Sequence, residues 1–305
     1  MVSITAAVLD GQAERSRWSH FAEFSRRNPM VVGGAGLLAI MMIVALVTGA
    51  FDLWNHVFDS RVGPEPMRLN PIKRLRPPQA EMWFGTDMFG RDIWARTLWG
   101  SQISLVVGLF VAALSTAIGL AIGLFVGYNR LADAIIMRIM DGLMSIPTIL
   151  LAIALMSLFG ASVENVIIAI TIPEVPRVVR LVRSVVLSIR EMPYVEAAVS
   201  IGTSPLKIMV RHILPNTIAP LIVQATYVCA AAVLIEAILS FLGAGTPPEI
   251  PSWGNIMAEG RTYFQIAPWI IFFPGLLLAL TVLAINVMGD GLRDTLDPRI
   301  ARRMK

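Results

Sequence analysis

The residues that could do chemistry are few and ill placed for catalysis. Three histidines, His20, His56 and His212, are scattered along the chain, so neither an H-E-x-x-H zinc site nor a compact histidine triad can be built from neighbouring positions. The single cysteine, Cys229, lies inside an apolar run and offers neither a disulfide nor a thiolate metal cluster. No Gly-Lys dipeptide occurs, which removes the loop that cradles phosphate in P-loop ATPases. A transport or interaction role without a cofactor or metal is expected, rather than an enzyme. Four acids then stand out because they fall within or beside apolar runs: Asp141, Glu174, Glu236 and Asp290. A charge in hydrocarbon is costly, so each either works or is paired. Asp141 and Asp290 belong at helix ends, and Glu174 is spaced to pair with Arg177 one turn on. Glu236 has no obvious local partner and either faces a polar cavity or is hydrogen bonded inside a bundle.

A second pattern is the stretch EAAVSIGTSPLKIMVRHILP, Glu196 to Pro215, polar and basic between two long apolar runs. Glu196 suits the first turn of a short helix, where the positive end of the helix dipole favours an acid. Ala197 and Ala198 leave a flat face, and Gly202 tolerates the positive φ that ends a helix. Pro205 fits the first turn of a second helix capped by Thr203 or Ser204. The product is a helix–turn–helix leading into an apolar run at Pro215. From these residues alone it is either a connector packed on its own bundle or a surface shaped for another protein's groove.

The elements that must hold these residues follow from composition. Of 305 residues, 56% are hydrophobic and 15% charged, with a mean hydropathy of +0.70, which is outside the range of soluble domains. The excess is gathered into apolar runs of about 20 residues, the length a helix needs to cross a bilayer. An all-α integral membrane protein with six spans is expected. The spans fall near residues 30–51, 103–128, 135–159 (containing Pro147), 163 to about 173, 213–242 and 268–288. Gly119, Gly123 and Gly127 form a four-residue stripe for close helix packing, a candidate contact with a partner subunit. After Pro173 and Pro176, Arg177, Arg180, Arg183 and Arg190 lie opposite Val178, Val182, Val185, Val186 and Ile189, an amphipathic segment leaving the bilayer on a basic side.

The net charge of +4 points to membrane orientation and not to nucleic acid, because the basic residues cluster at the ends of apolar runs. Arg15, Arg17, Arg26 and Arg27 precede the first span, and further basic residues follow the second, the fourth and the last. Both termini are therefore expected in the cytoplasm. The connection from Val57 to Arg96 opposes this, with seven basic residues on the expected outer side. The organisation expected is a cytoplasmic segment 1–29, a first span and outer loop 30–98, a core 99–290 and a basic cytoplasmic tail 291–305.

The stretch from Glu196 to Pro215 resembles the EAA motif of bacterial ATP-binding-cassette importer permeases, with Glu196, Ala197, Ala198, Gly202, Ile213, Leu214 and Pro215 at the matching positions. FGTDMFGRDIWARTLWGSQISL, LSFLGAGTPPEIPSWGNIMAEGR and NVMGDGLRDTLDPR look like the C-type permease of the dipeptide and oligopeptide importers. The resemblance implies a type I importer permease fold in the bacterial inner membrane. It also implies partners: a homologous B-type permease subunit, two cytoplasmic ATPase subunits and an extracytoplasmic solute-binding protein. The EAA loop would then be the coupling helix, with Glu196 at the polar ATPase contact, Ala197 and Ala198 at the close-packed face and Gly202 at the turn. Peptides are the implied cargo, and nickel complexes, glutathione or sugar derivatives are served by the same machinery. The segment Gly85 to Asp92, with Thr86 or Asp87 as a helix cap, and the loop around Trp253 are candidate surfaces for the binding protein or simply folded loops. A self-sufficient secondary carrier would show an internal repeat with paired broken helices, and none is evident.

Overall fold

The computed structural model describes residues 29–58 and 63–296; the expectations for residues 1–28, with their four arginines, and for the tail from residue 297 lie outside these. Outside residues 63–92 and 242–252 the described residues are mostly helical, because backbone polar groups in lipid must be satisfied within the segment. In chain order the principal helices are α1 (Pro29–Phe58), α2 (Ile93–Tyr128), α3 (Arg130–Met144), α4 (Thr148–Phe159) and α5 (Val163–Arg190). They continue with α6 (Pro193–Ser200), α7 (Pro205–Ile208), α8 (Leu214–Phe241), α9 (Trp253–Gly260) and α10 (Trp269–Leu296). Among the described residues, α1, α2, the body beginning at Pro205 that includes α8, and α10 are long and apolar enough to cross a membrane, and α3 with α4 supplies a fifth if the pair is one span.

Three features differ from the sequence expectation. The third apolar run is not one straight helix: α3 and α4 meet at an angle of 91° across residues 145–147. Pro147 has no N–H to extend the first helix and disfavours helical geometry at the residue before it. Conversely, α5 runs unbroken through Pro173 and Pro176 to Arg190, since both prolines are buried and packing holds the helix across the missing bonds. The short helix α7 is not separate from the next span either. A π-helical turn at Met209–Ile213 joins it to α8, and the combined body runs from Pro205 to Phe241. The wider turn sits directly before Pro215, whose ring nitrogen cannot donate to the carbonyl behind it.

The core lies where α2, α5 and α8 cross. Gly119, Gly123 and Gly127 face Val178, Val182 and Val186 of α5, so close that a Cβ on each glycine would fall within 2.5, 2.6 and 2.7 Å of the valine Cβ. The stripe therefore seats this chain's own α5. The expected contact with a partner subunit is corrected on that ground, because the face is already filled. Gly108 likewise admits Val233 of α8. Helix α1 lies outside this core: Gly34 touches α10 at Ala284 and Val287, Trp99 Nε1 donates to Asp52 Oδ1 at 2.7 Å, and Ile40, Ile43 and Leu46 are exposed.

Candidate functional site

The helix–turn–helix forms as its residue types dictate. Helix α6 is followed by Ile201 as its C-terminal capping residue, and Gly202 adopts φ +79°. The Gly202 N–H donates to the Val199 carbonyl at 2.9 Å and the Thr203 N–H to the Ala198 carbonyl at 3.0 Å. This is the paired bonding of a Schellman end. Ser204 is the capping residue of α7, but its side chain makes no capping bond; Pro205 in the first helical turn needs none for its missing N–H.

Burial divides the motif into an anchor and a free face. Val195, Ala198, Ile208 and Ile213 are buried. Glu196, Ala197 and Gly202 are exposed, with Tyr194, Val199, Ile201 and Leu206 beside them. Of the two alanines expected to share a flat docking face, only Ala197 is outward, because helical geometry sets adjacent residues about 100° apart. Ile213 sits in the bundle core, Leu214 is half-buried, and Pro215 is exposed in the first turn of α8. The Ile-Leu-Pro end thus fastens the motif to α8. Ile201 is 82% exposed and Leu206 68%, which is unusual for such side chains beside a basic surface with Lys207 and Arg211, and marks a face that awaits cover.

Arg190, the last residue of α5, ties this motif to the core. Its Nη1 donates to the Gly127 carbonyl at 2.8 Å, in the last turn of α2 where carbonyls lack intrahelical donors. Its guanidinium also lies 5.1 Å from the Tyr128 ring centroid. A cavity of about 470 Å³ opens beside it, lined by Tyr128, Arg190, Val195, Glu196, Val199 and Ser200.

On the opposite face of the bundle the Gly85 to Asp92 segment folds as a turn, with Gly85 and Gly90 at φ +72° and +74°. The helix cap is Asp92, whose side chain accepts from the Trp94 N–H. That corrects the expectation of Thr86 or Asp87. Burial raises the Asp92 carboxyl above its ordinary range, against the lowering by the Trp94 and Ala95 N–H groups. Asp87 serves instead as an ion-pair acceptor, its Oδ2 taking Arg91 Nε at 2.6 Å and Arg96 Nη1 at 2.8 Å. Glu259 of α9 accepts from the same two arginines at 2.5 Å. Two cations and two anions are thus gathered together, bolting the turn to the Trp253 helix, and Trp253 Nε1 adds a bond to the Thr97 carbonyl at 2.9 Å. Sequence reasoning misses this group. The signal is Arg96, a charge at the start of a long apolar helix with an acid only on its N-terminal side.

Glu236 is fully buried near the same end of α8. It accepts from Ser104 Oγ of α2 at 3.0 Å and from Ser240 Oγ at 2.8 Å. Ser240, one turn on, is the local partner that the sequence pattern did not single out. Glu174 does pair with Arg177, at 3.1 Å, Asp290 accepts from Tyr227 Oη at 2.6 Å, and Asp141 accepts from Arg180 Nη2 at 2.7 Å.

Relatives agree with this architecture. Residues 115–302 match the family described as binding-protein-dependent transport system inner membrane component. The chain is 53% identical to a probable peptide ABC transporter permease protein of Sinorhizobium fredii, over 92% of each chain. It is 40% identical to a dipeptide transport system permease protein of Alkalihalophilus pseudofirmus, over 93% of this chain and 91% of that one. A glutathione transport system permease protein of Escherichia coli is also 40% identical, over 94% and 92%. In fold it is similar to a chain of the MetNI methionine ABC transporter in an inward-facing conformation, with a TM-score of 0.53 at 22% identity, covering 65% of this chain and 94% of that one. The chain belongs to the binding-protein-dependent transport system inner membrane component family, as the multi-pass inner-membrane permease subunit of an ABC importer.

Proposed function

We propose that this permease forms half of a translocation pathway for short peptides, and that residues 193–208 are the element through which ATPase subunits drive it. The observation that carries the coupling role is the division of the helix–turn–helix into a buried anchor and an exposed face of Glu196, Ala197, Val199, Ile201 and Leu206. Such a face, rigidly continuous with α8 and tied by Arg190 to α2, can pass a push from a docked partner into the bundle. Glu196 is the polar contact, Ala197 the close one, Gly202 the turn, and Ile213, Leu214 and Pro215 the attachment to the span. A homologous B-type permease completes the pathway, two ATPases sit below, and a solute-binding protein docks above on the surface that includes the Gly85 turn and the Trp253 helix.

The arrangement in the membrane is six passes with both termini cytoplasmic, α5 being the pass whose charges hide it from an apolarity test. The proposed organisation keeps a cytoplasmic segment 1–29, a first span and outer loop 30–98, a core 99–290 and a tail 291–305. This topology rests on the lysine and arginine bias of the other connections; Arg91 and Arg96, which it puts on the outer side, are held in pairs with Asp87 and Glu259. The peptide cargo is supported by the names of the relatives, glutathione itself being a small peptide. The test is Gly202→Leu in the complete importer. A Cβ at 202 meets nothing within 4 Å, but the residue must adopt a left-handed backbone. Uptake and ATPase co-purification should both fall while the permease itself accumulates normally; unchanged uptake with unchanged co-purification overturns the coupling role.

A further inference from the structure

The break between α3 and α4 leaves charged side chains exposed beside the apolar body of α2. Val178 packs on Gly119, which lies nine residues before the end of α2, or about 13 Å along the helix at 1.5 Å per residue. Arg177 and Arg180 therefore stand alongside a helix that carries no ionisable residue from Thr97 to Phe125. Yet Arg177 and Arg180 have 46% and 51% of their side chains exposed, and Asp141 has 54%. Ser145, Ile146 and Pro147, the non-helical residues of the break, are exposed as well. Beside a helix that crosses a bilayer, exposed charged side chains and irregular backbone are kept against protein or a water-filled path.

The charges are also balanced. Glu174, 1% exposed, holds Arg177 Nη1 at 3.1 Å, and Arg177 Nη2 reaches Thr148 Oγ1 at 3.4 Å in the first turn of α4. Asp141 and Arg180 form the second pair at 2.7 Å, and both are open on one side. A solute with net charge would leave that charge uncompensated beside this group. A solute bearing one cation and one anion exchanges partners with the open pair and leaves none.

We propose that Asp141, Arg177 and Arg180 form a waypoint of the translocation path for zwitterionic solutes, Asp141 receiving an ammonium group and the two arginines a carboxylate. The free ends of a short peptide have that chemistry. This rests on the chain being an importer permease and adds a site within the path. Arg177 orders the place through its buried Glu174; the Asp141–Arg180 pair opens to the solute. The competing use of the same groups is a fixed ion pair with the second permease.

The complete importer, with its ATPases and binding protein in proteoliposomes, separates the two. Radiolabelled alanyl-alanine and alanyl-alaninamide are the probes, and Asp141→Asn and Arg180→Gln the variants, both at half-exposed positions. Each variant should lower alanyl-alanine uptake about tenfold, the scale of one lost charge-assisted bond. ATP hydrolysis stimulated by the binding protein should stay at the parent level, and Arg180→Lys should regain part of the uptake. The Arg180→Gln penalty should shrink for the amide, which has no carboxylate. Unchanged uptake, an equal penalty for both probes, or loss of stimulation together with uptake, as a broken subunit contact would give, each overturns the waypoint. Parent importer that moves neither probe overturns the solute class. The permease reading fails separately, if Gly202→Leu leaves both uptake and ATPase co-purification intact.

Discussion

Gly123 and Gly202 both resist substitution, for opposite reasons. A Cβ on Gly123 would meet Val182 in the core, whereas one on Gly202 meets nothing and is opposed only by φ +79°. Gly123→Val should therefore cost about 1–3 kcal/mol by overpacking and reduce the yield of folded permease in detergent. Gly202→Ala should cost about 1–2 kcal/mol of local strain, lower the thermal midpoint by only a few degrees, and depress uptake. Glu236 gives a third residue-scale expectation. Glu236→Leu strands the Ser104 hydroxyl and leaves Ser240 with Thr246 alone, a loss of about 1–3 kcal/mol for a buried polar group left without a partner. Glu236→Gln keeps an acceptor and should retain most of the stability, read as the thermal midpoint of the purified protein. Gln at this position with intact stability but no uptake would show that the charge itself is used.

At the scale of elements, the proposed coupling depends on the connection between α5, α2 and α6. Arg190→Ala removes the bond to the Gly127 carbonyl and the contact with Tyr128. The expected stability loss is small, about 1 kcal/mol for a partly exposed group. Solute moved per ATP hydrolysed should fall while the complex still assembles, with Arg190→Lys partly restoring it; an unchanged ratio would mean that α6 acts through α8 alone. Much of this level was legible. The apolar runs located α1, α2, α8 and α10, and Gly202 and Pro205 located the helix–turn–helix. The angle between α3 and α4 was not legible, because Pro147 marks a break while its geometry depends on α5 packing against both pieces. Nor was the continuity of α5, since proline in a helix is tolerated or not according to burial that no local pattern encodes.

Over the whole molecule, the end of the bundle that carries the Gly85 turn and α9 is held by charges brought together across more than 160 positions, Arg91 and Arg96 against Glu259. Arg96 signals that a partner is needed, but no local pattern names Glu259 as that partner, and the same holds for α5 filling the glycine stripe of α2. Sequence spacing shows a flat face and not what covers it. Glu259→Ala would leave two buried arginines with Asp87 alone and should destabilise the permease by about 3–5 kcal/mol, the scale for a broken buried ion pair, measured by thermal unfolding in detergent.

The coupling face is tested most directly by proximity. In the assembled importer, Ala197→Cys and Ala198→Cys differ by one position on α6, the first exposed and the second buried, while the native Cys229 is itself buried. Treated with a short bifunctional thiol–amine cross-linker, the Ala197→Cys permease should join to an ATPase subunit and the Ala198→Cys permease should not. Equal cross-linking from both positions, or none from Ala197→Cys in an importer that still transports, would contradict the account.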